Sequence, residues 1–214
     1  TLSSDPDEKL YLSAARSFHN GHWSTSVIWL KELIDRYPNS SRRPKAALLL
    51  GQSYYKQKQY RQAYAVLSNN RLVAENLADQ YVYWMAESRL AQGSLDAADQ
   101  IFGELLREFS ESSRRLESII SSAFIAAQRE DWTRVILLLR PADGVFQTQL
   151  GDGAEGGLLQ EGCLLLSGAF LEQKDPVSAK LLWDMLPRAM TANRAQRQKL
   201  LNIRISMASG NFSE

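Results

Sequence analysis

The chain has 214 residues, with 25 Lys and Arg against 24 Asp and Glu, a net charge of +1 and 44% apolar residues. The balanced charge, with no basic stripe, argues against nucleic acid as a ligand, and no apolar run approaches the roughly 18 residues of a membrane span. The single Cys163, set among Leu164, Leu165 and Leu166, has no internal disulfide partner and reads as a buried, inert thiol.

The first helix is expected to open at Ser4-Asp5-Pro6-Asp7-Glu8, where a cap residue, a proline at the first helical position and two acids in the first turn coincide. Turns follow at Asn20-Gly21-His22-Trp23, Gln57-Lys58-Gln59-Tyr60, Gln92-Gly93-Ser94-Leu95 and Glu130-Asp131-Trp132. Gly21 and Gly93 take positive φ after a helix at little cost. Asn69-Asn70-Arg71 stands where an apolar residue is usual, so the helix before it is expected to end early. Pro141 to Gly157 is rich in glycine and polar residues and reads as a loop insertion over 141–158. A last helix is expected over 193–209, followed by Gly210-Asn211-Phe212-Ser213-Glu214, which reads as the turn of a sixth unit. The first residue is Thr1, and the simplest expectation is a fragment of a longer protein.

A second pattern runs through these elements. Small residues recur at Ala14, Gly51, Ala86, Ala123 and Ser167, and their partners twelve positions on are Ser26, Ala63, Ala98, Val135 and Ala179. A large residue sits sixteen after the first, at Leu30, Leu67, Phe102, Leu139 and Trp183. Two antiparallel helices approach closely only where both carry small side chains, and a bulky residue beyond the crossing fills the space against the next pair. Self-similarity at such a period marks stacked helix–turn–helix repeats. With Pro38 at the end of the first unit, the chain resembles tetratricopeptide repeat (TPR) proteins. The resemblance implies an all-α fold, a right-handed superhelix (α-solenoid) of about five TPR-like repeats plus a C-terminal helix. It divides a single domain, 1–214, into repeats at about 7–40, 44–72, 79–112, 116–140 and 160–188, with the helix 193–209 last.

In this family the first helix of each repeat lines a concave groove that holds a partner segment. Counting from the small position, the resemblance puts Tyr11 and Phe18 there in the first unit, and Leu48, Gln52, Tyr55 and Lys56 in the second. Tyr83, Glu87 and Leu90 follow in the third, and Ile120 and Phe124 in the fourth. The lysine, asparagine and arginine clamp of chaperone-binding members is lacking, and the groove residues are mainly aromatic and aliphatic. Such a surface suits a protein or peptide segment with apolar anchors.

Catalytic and metal candidates are few. His19 and His22, three apart across a turn, make a poor metal site without further ligands. The Gly151–Gly157 stretch has no following Gly-Lys-Ser/Thr, so it does not read as a phosphate cradle. The acids Asp143, Asp152 and Glu155 do not match an EF-hand spacing. No nucleophile–base pair is recognisable. The expectation is a non-catalytic interaction scaffold with no cofactor, no metal and no catalytic residue. Asp35-Arg36-Tyr37-Pro38-Asn39-Ser40, Ala86 to Gly93 and Arg107 to Ser112 resemble bacterial cell-envelope members of the family. Those include the outer-membrane assembly lipoprotein and the Tol-Pal coordinator. That resemblance implies a periplasmic scaffold, with a lipid anchor upstream of Thr1 still open. Two alternatives stand beside it: the repeat domain of a larger envelope enzyme or export machine, and a cytoplasmic regulatory adaptor.

Overall fold

The fold is known from a computed structural model that describes residues 5–151, 156–186 and 192–209. The chain divides into two compact units, 1–114 and 115–214, where the sequence reads as one domain. The first unit holds α1 (Pro6–His19), α2 (Trp23–Arg36), α3 (Arg43–Lys56), α4 (Tyr60–Asn69), α5 (Ala78–Ala91) and α6 (Leu95–Glu108). The second holds α7 (Arg115–Gln128), α8 (Trp132–Leu139), α9 (Val145–Leu150), α10 (Gly157–Glu172), α11 (Pro176–Asp184) and α12 (Ala192–Ala208). Among the described residues there is no strand, and within each unit successive helices pack in pairs. This is the all-α arrangement of a TPR-like helical-repeat solenoid.

One backbone turn joins the two helices of every pair. The residue seven after the small position is left-handed each time: Gly21 (φ 77°), Lys58 (61°), Gly93 (77°), Glu130 (58°) and Lys174 (60°). Its N–H donates to the carbonyl three residues back, and the next N–H reaches five back. Thus His22 donates to Ser17, Gln59 to Tyr54, Ser94 to Arg89, Asp131 to Ala126 and Asp175 to Phe170, at 2.8–3.0 Å. These two bonds satisfy carbonyls that the helix end leaves open. The next helix starts at once, and Asp131 and Asp175 cap theirs by accepting from the N–H of Arg134 and Ser178. The Asp175 carboxyl is held below the usual range chiefly by its hydrogen bonds with Ser178.

The crossings are dry. Ala14, Ala86, Ala123 and Ser167, and their partners Ser26, Ala63, Ala98, Val135 and Ala179, are fully buried. A Cβ on Gly51 would lie 2.7 Å from Leu67 Cγ, so no side chain fits there without displacing Leu67. In the fifth pair the contact is polar: Ser167 Oγ donates to the Ala179 carbonyl at 2.7 Å.

A clasp also recurs in the first unit, its members 72 positions apart in the chain. Ser40 Oγ donates to Asp7 while accepting from the Arg42 N–H, and Ser112 Oγ donates to Asp79 while accepting from the Arg114 N–H. The Arg42 guanidinium then pairs with Glu8 and lies over the Tyr11 ring. Arg114 bonds Gln80 and lies over Tyr83. These arginines tie the end of a pair back to its own first helix rather than standing free in solvent.

The stretch expected as a loop, 141–158, is a correction. Residues 152–155 lie outside those described, but Val145–Leu150 is helical, with Phe146 and Leu150 buried. Helices α2 and α6 run 14 residues each, whereas α8 stops after 8. Pro141, which cannot continue a helix, interrupts the fourth pair there. Like α8, α9 packs against α7 and α10. It therefore completes the second helix of the pair instead of looping out. Gly162 receives it: a Cβ there would sit 2.2 Å from the Phe146 ring. The second pair is broken similarly, α4 ending at Asn69 with 3₁₀ turns at Arg71–Val73 and Glu75–Leu77 after it.

The shared turn yields a prediction. Lys58, Glu130 and Lys174 hold a conformation that disfavours an L side chain by about 1–2 kcal/mol, partly offset by the greater unfolded-chain entropy of glycine, about 0.5–1 kcal/mol. Lys58→Gly, Glu130→Gly and Lys174→Gly should each stabilise their unit by about 0.5–1 kcal/mol. Gly21→Ala and Gly93→Ala should destabilise. Denaturant titration of the five variants measures all of it.

Candidate functional site

In the first unit the residues assigned to the inward positions of α1, α3 and α5 are half-buried, apart from exposed Lys56, and most of them are already engaged. Tyr11 lies beneath Arg42, and Phe18 meets His19 edge to face at 5.9 Å. Leu48 and Leu90 are half-buried, and Leu48 packs on the core cluster around Leu67 and Tyr81. Gln52 is half-buried and Lys56 is exposed.

Tyr55 is the centre of a ring cluster between α3 and α5. It meets Tyr60 at 5.2 Å and Trp84 at 5.1 Å, both edge to face, and its hydroxyl donates to Glu87 Oε2 at 3.3 Å. Burial, then the Glu87 charge, pushes the phenol above its ordinary range. Tyr83 continues the cluster, touching Trp84 and Phe102 under Arg114. Edge-to-face ring pairs contribute about 0.5–1.5 kcal/mol beyond their area. Tyr55 with Trp84 and Glu87 thus holds neighbouring repeats together, while Tyr83 packs within the third pair.

The second unit separates the two residues assigned to it. Ile120, expected in the groove, is 3% exposed and belongs to the buried cluster that includes Phe146 and Leu150. It belongs to the core that α7 shares with α9 and α10, so its side chain is spent on the interior. Phe124, one turn further, stays half-buried and lines an open groove of about 350 Å³. The groove wall is Phe124, Ala127 and Trp132, its floor Leu164, Leu165 and Gly168 of α10, and its far side Leu200 of α12. Arg197 and Arg204 rim it, paired with Glu161 and Glu172 of α10. The volume is within the range of small-ligand and side-chain pockets.

The floor was within reach of the same counting rule. Three before and one after Ser167 are Leu164 and Gly168, the inward positions of the fifth pair. The α12 side had no repeat register to reveal it.

The chemistry of the remaining candidates is quiet. His19 and His22 are exposed at the first turn. Among the described residues no group of three or more His, Cys, Asp or Glu is placed to hold a metal ion. Cys163 is fully buried, and burial pushes its thiol up to about 12, leaving almost no thiolate near neutrality. No helix among the described residues is long and apolar enough to cross a membrane.

One family profile matches the chain, that of the anaphase-promoting complex, cyclosome, subunit 3, over residues 19–105. The matched stretch runs from His19 at the end of α1 to Leu105 of α6 and supports a TPR-type repeat protein. No curated protein matches the chain.

The double role of Tyr55 predicts how it responds to substitution. Tyr55→Phe keeps the ring contacts and removes one hydrogen bond, and should destabilise the first unit by about 1 kcal/mol. Tyr55→Ala removes a half-buried ring and should cost about 2–3 kcal/mol, near the low end for aromatic truncation. Equal effects in denaturant titration would mean that the ring packs weakly.

Proposed function

We propose that the chain is a non-catalytic scaffold that holds a segment of a partner protein through apolar anchors. The groove of the second unit is the main seat, and the inner face of the first unit, from Tyr11 and Phe18 to Tyr83 and Leu90, is an additional contact surface. The observation that carries this reading is the groove itself. Phe124, Trp132, Leu164, Leu165 and Leu200 line it and, among the described residues, no element covers it, while the small-residue crossings are fully buried. Interface energy concentrates where aromatic and aliphatic anchors enter such pockets.

TPR-type repeats bind protein partners, and the matching profile is named for a subunit of a multiprotein complex. Both favour a scaffold over an enzyme. A bacterial envelope setting is part of the proposal and rests only on the likeness of Asp35–Ser40, Ala86–Gly93 and Arg107–Ser112 to envelope members of the repeat family. The partner is then an assembly component with an exposed apolar segment.

Gly168 provides the test. A Cβ added there meets no atom within 4 Å, so a side chain at this position enters the groove without disturbing the fold. Gly168→Leu should keep or raise the melting temperature, since glycine inside a helix costs about 1 kcal/mol. It should weaken binding of a partner identified by affinity capture ten-fold or more, equivalent to about 1.4 kcal/mol. Unchanged affinity in the folded variant would contradict the groove as the seat.

A further inference from the structure

The residue before the left-handed one sets the first turn apart. It is Gln57, Gln92 and Gln173 in three of the other turns and Arg129 in the fourth, but Asn20 in the first. Gln57 and Gln92 donate their side-chain amides to the carbonyls of Ser53 and Ser88, four residues back, at 3.2 and 2.9 Å. Asn20 is one methylene shorter and exposed, and with Gly21 it forms the only Asn-Gly step in the sequence. No atom lies within 4 Å of where a Cβ on Gly21 would stand, so no neighbour crowds this step.

We propose that Asn20 is a deamidation site whose reaction is gated by opening of the first turn. The Gly21 nitrogen gives its proton to water and attacks Asn20 Cγ. The N–Cγ bond forms, the Cγ–Nδ2 bond breaks, and ammonia leaves with a proton taken from water. Water then opens the five-membered imide, at Cγ to give aspartate or at the main-chain carbonyl to give isoaspartate, which carries an extra methylene in the main chain. The closed turn opposes the first step. Ring closure needs the Gly21 nitrogen to eclipse Asn20 Cβ, whereas at ψ 4° it eclipses the Asn20 nitrogen. Rotating it away breaks the bonds from the Gly21 N–H to the Phe18 carbonyl at 3.0 Å and from the His22 N–H to the Ser17 carbonyl at 2.8 Å. The reaction therefore draws on the locally open fraction of the chain. Its isoaspartate product lengthens the main chain where those two bonds fix the helix angle, so the turn cannot reclose as before. The new carboxylate also stands at the negative, C-terminal end of α1. Arg16 and His19 in the last turn of α1 offset that charge but not the added methylene.

The experiment incubates the 214-residue chain and a synthetic peptide of residues 17–23 side by side at neutral pH. Conversion is read by mass spectrometry with electron-transfer fragmentation, which separates isoaspartate from aspartate. The peptide should convert at least ten-fold faster than the chain, and urea below the unfolding midpoint should raise the chain's rate toward that of the peptide. Gln92 shares its turn geometry, with Gly93 also at φ 77°, but would have to close a six-membered ring, and should stay unconverted. Asn20→Gln should abolish conversion and keep or raise the melting temperature, since the longer amide reaches the Arg16 carbonyl as Gln57 and Gln92 reach theirs. The isoaspartate fraction, isolated by ion exchange, should melt below both the parent and Asn20→Asp, which adds the charge without the methylene. No conversion of the chain even in urea, while the peptide converts fully, would overturn the site. Equal rates in chain and peptide would overturn the gating, and an isoaspartate fraction that melts like the parent would overturn its effect on the turn.

Discussion

The left-handed residue in each inter-helix turn is the constraint on which the repeats depend. It lets two consecutive N–H groups turn back onto the end of the first helix, so the second helix starts two residues later at a set angle. That angle lays the second helix on the small position: Leu67 packs against Gly51 and the Ala179 carbonyl accepts from Ser167, while Ala14, Ser26 and Ala63 are fully buried. Were the residue at the turn right-handed, the chain would continue or splay, and the small pairs would not meet. The crossings then exclude water without further machinery, and Leu30, Leu67, Phe102 and Leu139 are sealed behind them.

Between pairs the connections vary, and there the function-bearing differences arise. The Asp–Ser–Arg–Tyr clasp closes the first and third pairs, each built on a full-length second helix. The second and fourth pairs have broken second helices, replaced by 3₁₀ turns after Asn69 and by α9 after Pro141. In the second unit that break has a consequence for binding. Ile120 of α7 lies in the core that includes Phe146 and Leu150 of α9, and the open apolar surface is at the Phe124 end. A long groove read from four repeats becomes, in that unit, a pocket between α7, α10 and α12.

Most of the fold was legible because helix crossing is sterically strict. Only Ala, Gly and Ser, with Val135 the widest exception, occupy the paired positions, and so the period shows through sequence. The turns were half legible. Gly21 and Gly93 declare positive φ, but Lys58, Glu130 and Lys174 adopt it because the flanking helices demand it, and nothing in their side chains announces that. Helix α9 was hidden for the opposite reason. Its flanks, Pro141 to Gly144 and Gly151, carry loop composition, and only Phe146 and Leu150 four apart hint at a buried turn. Of the candidate site, Phe124 follows from the register and Ile120 does not, since burial in a core shared with other helices is a tertiary event. The doubly engaged Tyr55 was readable as an inward residue but not as part of the repeat-to-repeat packing, which needs Trp84 and Glu87 from another helix.

The central claim, that one turn conformation sets all five helix pairs, is open to direct measurement. A residue with φ near +60° holds its amide and α protons unusually close. Nuclear Overhauser spectroscopy on isotopically labelled protein should therefore give strong intraresidue amide–α contacts at Lys58, Glu130 and Lys174 alike, well above those of the neighbouring helical residues. Weak contacts at these three positions, of helical strength, would contradict the account: the turns would then not be equivalent, and the register of crossings built on them would lose its cause.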